Sequence, residues 1–336
     1  MPKQKRLVAL LLCMALAATL LAGCAGPSEK VAEPEEQPEA DAGEGTVDLA
    51  EYVGDLEIIP LAEAPALSTT LMPVASGTNV QSNEKAEIDA SNTQDGYVMI
   101  RYLKGGTAKI KVIIAGPSGV KYTYNLNAGG TYETFPLSDG SGSYQIGVYR
   151  NVEGTKYATE YSVKLDVALK DEFAPFLLPN QYVNYTAGSS VVKKAEELTR
   201  NCKDEVESIK AVYNFVVSTL TYDKQQAETV QSGYLPDLDD VLSRKKGICF
   251  DYAALMTAML RSQGIPCKLV VGYAGTVYHA WINAYSQKQG WISNAIYFDG
   301  TTWKLMDPTF ASTGNSSPEI MKYIGDGKNY TAKYLY

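Results

Sequence analysis

Two hydrophobic periods divide the chain. From about residue 95 to 169, apolar and polar residues alternate in short runs: YVMIRYL, AKIKVIIAG, KYTYNL, TYETFPL, SYQIGVYRN and EYSVKLDVAL. A period of two sends successive side chains to opposite faces, so each run predicts a strand with one face toward a core. The runs are punctuated by KGG, GPSG, NAGG and SDGSGS, turn-forming clusters spaced as in an all-β sandwich. The many tyrosines here suit a pleated, half-exposed surface, where they either pack or offer rings to a carbohydrate.

After APFLLPNQYVNYTAG the period lengthens. SSVVKKAEELTRNC and DEVESIKAVYNFVVSTLTYD predict helices, the second with Ile209, Val212, Tyr213, Val216 and Leu220 on one stripe. Asp204 followed by Glu207 is a helix-capping pair. The polar segment KQQAETVQSGYLPDLDDVLSRK leads into KKGICFDYAALMTAMLRSQGIP, in which Ala253, Met256 and Leu260 follow Cys249 at helical spacing and QGIP supplies the stop. Alternation then returns: His279 shares a face with Trp281, Asn283 and Tyr285. FDGTTWKLMDPTF predicts a turn and a short strand with Trp303, Leu305 and Asp307 on one face, ended by Pro308. If that strand runs antiparallel beside the His279 strand, Asp307 comes within reach of His279. This requires SQKQGWISNAIYF to be an excursion outside the main pairing.

Lys3, Lys5 and Arg6 precede the apolar run LVALLLCMALAATLLAG, the charged and apolar regions of an export signal. The run ends in LAGC, which resembles the bacterial lipoprotein lipobox and implies that Cys24 becomes the lipidated first residue of the mature chain. Two acyl chains, at about 0.8 kcal/mol per buried methylene, suffice for stable anchoring. Residues 25–64 hold 12 acidic residues against one lysine, the composition of a solvated tether. Outside residues 1–64 there are 26 basic and 26 acidic residues, so the net charge of −8 comes from the N-terminal portion and the folded part is neutral. A neutral surface favours neither nucleic acid nor an acidic polymer as partner.

Cys249 falls in the first turn of its helix, where unpaired N–H groups and the macrodipole favour thiolate, the reactive form. The alternative is an inert core thiol. A catalytic cysteine needs a base, and the chain has one histidine, His279, which also rules out a zinc site built on several histidines. Cys202, Cys249 and Cys267 remain once the leader and Cys24 are set aside. Either Cys202 pairs with Cys267 or all three are thiols.

GICFDYAALMTAMLRSQGIPCKLVVGY, HAWINAY and WKLMDPTF, in that order over residues 190–310, together resemble the bacterial transglutaminase-like superfamily. The resemblance implies an α+β, papain-like core with Cys249 as nucleophile, His279 as general base and acid, and Asp307 as orienting carboxylate. Tyr222 in LTYD is a second oxyanion donor or a packing residue, and Trp281 walls the cleft or packs. The expected organisation is a signal peptide over residues 1–23, a tether over 24–64, a β-sandwich-like domain over 65–180 and the transglutaminase-like domain over 181–336. The expected activity is attack on protein or peptide amides at the cell envelope by a lipid-anchored, extracytoplasmic enzyme, with hydrolysis favoured over amine transfer and no metal or cofactor. The alternative is an inactive transglutaminase-like binding or scaffold module.

Overall fold

Eight strands of the N-terminal half, and five helices and eight strands of the C-terminal half, can be followed in the computed structural model, which describes residues 70–292 and 330–336 and the backbone of 296–298 and 303–305. The alternating runs become two antiparallel sheets. One has the order β1 (Val80–Ser82), β2 (Ala86–Asp89), β3 (Tyr97–Tyr102), then β6 (Glu133–Pro136). The other has the order β5 (Lys121–Leu126), β4 (Ile110–Ala115), β7 (Gly142–Glu153), β8 (Lys156–Val167). Ile88, Val98, Ile100, Val112, Ile146 and Val148 are buried as the period of two requires. Gly96 carries a φ of +82° after a short 3-10 turn, a left-handed position open to glycine, and Pro175 packs against it so closely that a Cβ would sit 2.4 Å from the proline nitrogen.

Five helices follow. They are α1 (Ser190–Thr199), α2 (Glu205–Thr219), α3 (Lys224–Thr229), α4 (Leu238–Arg244) and α5 (Cys249–Ser262). Asp204 caps α2 as its spacing predicts: its Oδ1 accepts the Glu207 N–H at 2.9 Å, and Glu207 Oε2 accepts the Lys203 N–H at 2.9 Å. Between α2 and α5 the chain makes a two-residue parallel bridge, β9 (Thr221–Tyr222) beside β10 (Lys246–Gly247). Residues 251–262 of α5 are all buried, the signature of a helix enclosed on every side. Helices α1, α2 and α4 contact it, as do strands β11 (Cys267–Ala274) and β12 (Val277–Ser286).

The C-terminal sheet has the order β13 (Gly290–Ile292), β12, β11, β16 (Tyr330–Leu335), all antiparallel. Two expectations need correction here. The segment SQKQGWISNAIYF is not wholly outside the pairing, since Gly290–Ile292 pairs with Ala284–Ser286. Trp291 draws it in: its ring packs 5.5 Å from that of Tyr285 and 5.8 Å from that of Phe173, with the Lys268 ammonium 3.7 Å from its centroid. The strand containing Trp303 is β15 (Trp303–Leu305), and among the described residues it pairs antiparallel with β14 (Ile296–Phe298), not with β12.

The sandwich and the helical part share one continuous core within the unit spanning residues 62–336. Tyrosines make the junction. Tyr122 and Tyr124 of β5 lie 5.7 and 5.8 Å from the ring of Tyr336, and Tyr182 lies 4.4 Å from Tyr336 and 5.8 Å from Phe250 of α5. Tyr124, Tyr144 and Tyr102 are buried, so these strand tyrosines pack.

Candidate active site

Cys249 is the first residue of α5 and half-buried, while the extended Ile248 precedes it as N-cap. Isoleucine offers no side-chain acceptor, so the cap is made from the other direction: Asp251 Oδ2 accepts the Ile248 N–H at 2.8 Å. Gly247 makes room for this. A Cβ there would stand 2.6 Å from the Asp251 Cβ. Tyr222, half-buried and packed on the core, has its backbone opposite Gly247 in the parallel bridge, and the Asp223 N–H donates to the Gly247 carbonyl at 2.8 Å. The LTYD segment is therefore held beside the start of α5. Asp223 in turn caps α3 through the Gln226 N–H at 3.0 Å and pairs with Lys246 at 3.2 Å, and these contacts hold its carboxyl below the usual range.

His279 is buried on β12, opposite Gly272 of β11. Its ring lies 6.4 Å from that of Trp281, nearly parallel at 25°, and 6.4 Å from that of Tyr330. Gly272 permits this packing, since a Cβ would meet the Thr331 carbonyl oxygen at 2.0 Å and Trp281 at 2.9 Å. Trp281 is 1% exposed and edge-on to Tyr330, so it packs behind His279 and does not present an open wall. Alternation along β12 sends Ala280, Ile282 and Ala284 into the core shared with α5 and puts His279 and Trp281 on the reverse face. Tyr278 lies on the α5 side. Burial raises the pKa of its hydroxyl, with smaller contributions from Tyr334, Tyr273 and Cys249. Asp307 and Cys24 lie outside the described residues.

All three described cysteines are free, so the Cys202–Cys267 pairing is absent. Cys267 faces α5, with its sulfur 3.7 Å from Thr257 Oγ1, and burial pushes its thiol up to about 12. Cys202 Sγ lies 3.7 Å from the Leu198 carbonyl at the end of α1. No group of three or more His, Cys, Asp or Glu residues among the described residues is arranged to hold a metal ion.

Residues 192–294 match the family model of the transglutaminase-like superfamily. The chain therefore carries a transglutaminase-like domain, an α+β core preceded by sheets of antiparallel strands. Two curated relatives are similar in sequence. YebA of Bacillus subtilis (strain 168), itself uncharacterized, is 25% identical over 194 residues, covering 49% of this chain and 25% of the relative. A protein-glutamine gamma-glutamyltransferase of Pseudomonas aeruginosa is 34% identical over 71 residues, covering 17% of this chain and 11% of the relative. The chain thus spans a quarter or less of the length of these relatives. A solved structure from Cytophaga hutchinsonii, provisionally assigned as a cysteine protease, is 15% identical with a TM-score of 0.35, covering 77% of this chain and 74% of that one.

Proposed function

We propose that the protein is a thiol enzyme acting on protein or peptide amides through Cys249, His279 and Asp307. The observation that carries this reading is the position of Cys249 at the first residue of a buried helix in a transglutaminase-like domain, with the only histidine of the chain on the strand packed along that helix. The Cys249 thiolate attacks the carboxamide or peptide carbonyl, the tetrahedral intermediate collapses, and His279 protonates the departing amine. Water, deprotonated by His279, then attacks the thioester carbonyl and releases the acid and the free thiol. The Cys249 N–H is the first oxyanion donor and Tyr222 the candidate second. Asp307 orients the imidazole.

Hydrolysis is favoured over cross-linking because water is the abundant acceptor. Incubation with an unfolded glutamine-rich protein and a labelled primary amine separates the two: release of ammonia or new chain termini should outpace amine incorporation, and the opposite order makes the protein a transferase. An inactive scaffold is the second reading, favoured by the packing of His279 with Trp281 and Tyr330 on the face of β12 away from the α5 core.

Lipid attachment at Cys24 would hold the enzyme outside the cytoplasm on the membrane surface, with residues 25–64 as tether. Cys24→Ser protein should leave the membrane fraction on alkaline washing. Retention would make the apolar leader a spanning helix.

A further inference from the structure

Asp251 lies two residues beyond Cys249 and takes no part in the chemistry above. It is fully buried, a placement a carboxylate tolerates only among hydrogen-bond donors. Three are present. Besides the Ile248 N–H, the Tyr234 hydroxyl donates to Oδ1 at 2.7 Å and Gln226 Nε2 donates to Oδ2 at 3.2 Å. Burial pushes the carboxyl above its ordinary pKa, while the three hydrogen bonds and the Arg244 charge pull it down. The same contact pushes the Tyr234 hydroxyl up to about 12, behind burial as the largest cause.

Both side-chain donors come from one strap, residues 224–235, between the LTYD segment and α4. The strap lines a cavity of about 610 Å³, bounded by Gln226, Val230, Tyr234 and Leu235 together with Asp240 and Arg244 of α4. A molecule entering that cavity would touch the two side chains that grip Asp251. At the other end of the contact, Asp251 holds the Ile248 N–H, one of the helix-start donors with no intrahelical acceptor. Anchoring Ile248 sets the direction of the next peptide group, which carries the Cys249 N–H.

We propose that Asp251 is a positioning residue of the thiol site, coupling the strap beside the cavity to the backbone amide of Cys249. The inference rests on the reading of Cys249 as nucleophile. It differs from an ordinary cap in what it controls: loosening Tyr234 or Gln226 misaligns the oxyanion donor while leaving the thiol in place.

Two probes of the full chain test it. Acylation by p-nitrophenyl acetate, in which the Cys249 thiolate attacks the acetyl carbonyl and nitrophenolate departs, needs a placed oxyanion donor. Alkylation by iodoacetamide, which displaces iodide, does not. Asp251→Asn should slow acylation of Cys249 by about a hundredfold and Tyr234→Phe by about tenfold, the scale of a misplacement near 1 Å, while alkylation stays within about threefold of wild type. Tyr234→Phe removes one hydroxyl and keeps the Ile248 bond, so it carries the test if Asp251→Asn does not fold. Unchanged acylation in either folded variant overturns the proposal. So does a parallel fall in both rates together with a lowered melting temperature, which would make Asp251 a plain structural cap. Wild-type Cys249 acylated no faster than in the guanidine-unfolded chain would overturn the nucleophile reading itself, and this inference with it.

Discussion

Cys249→Ala protein should be folded and inert. Cys249 is half-buried at the helix start, whereas α5 is held by Ala253, Met256 and Leu260 deeper in the core, so loss of one sulfur should leave the melting temperature nearly unchanged. Turnover should fall by about a millionfold, the scale on which removing a triad nucleophile acts, and His279→Ala should fall nearly as far. The double variant should be no worse than either alone, because residues that work as a unit are not additive. Asp307→Asn should lower turnover more than it lowers iodoacetamide labelling of Cys249, because it misorients the ring and leaves the thiol in place. Labelling of the native protein should fall on Cys249 in preference to Cys267, whose thiol is enclosed and pushed up to about 12. The measurements are steady-state turnover and mass-spectrometric mapping of adducts. A His279→Ala protein with near wild-type turnover and labelling would show that His279 is a packing residue, as its neighbours Trp281 and Tyr330 allow, and would leave Cys249 without its proposed base.

Period carried most of the fold into view, and it failed where elements are short or polar. The run KYTYNL coincides with β5 because its alternation is uninterrupted and its boundaries are loops. β1 and β2 carry no clear alternating signal, for different reasons. VQS is three residues and mostly exposed. AEID ends in Asp89, which is buried because it accepts the Gly77 N–H at 2.8 Å and the Ser91 N–H at 2.9 Å, a use of a carboxylate that hydropathy cannot register. Helices α3 and α4 hide within a polar segment, yet each had a readable start: Asp223 and Asp237 cap them through the N–H groups of Gln226 and Asp240. Cys249 and the strand of His279 were legible in the same way as the core, from helical and alternating spacing around a chemically distinctive residue. Asp251 was not, although an acid three residues after a helix N-cap was the available signal. Its meaning comes from Tyr234 and Gln226, seventeen and twenty-five residues away, which only the folded strap brings to it.

Arg261→Met should be the most destabilising single change in the helical part. Arg261 sits at the far end of α5 from Cys249 and is fully buried. Its guanidinium is distributed over three main-chain oxygens: Nε donates to Cys267 at 2.8 Å, one terminal nitrogen to Leu178 at 2.7 Å and the other to Tyr336 at 2.6 Å. These oxygens belong to β11, to the segment leaving the sandwich and to the residue after β16, so one side chain joins α5 to three separate stretches of chain. Burial pulls its pKa down to about 10, which still leaves it charged at neutral pH. Methionine fills much of the volume and donates nothing. The Tyr336 oxygen retains the Leu269 N–H at 2.9 Å, but the others lose their guanidinium donors. At about 1–3 kcal/mol for each buried acceptor left short, the expected loss is about 3 kcal/mol or more, a large part of the roughly 5–15 kcal/mol that holds a typical domain folded. Arg261→Lys should fall between the two, since a single ammonium cannot reproduce a planar fork aimed at three acceptors. Urea denaturation followed by tryptophan fluorescence measures this, and an Arg261→Met midpoint equal to that of wild type would mean that the three oxygens find other donors. Because Cys249 lies at the opposite end of the same helix, a loosened Arg261 that still folds should keep its iodoacetamide reactivity while its melting temperature drops, the reverse of the pattern expected for Cys249→Ala.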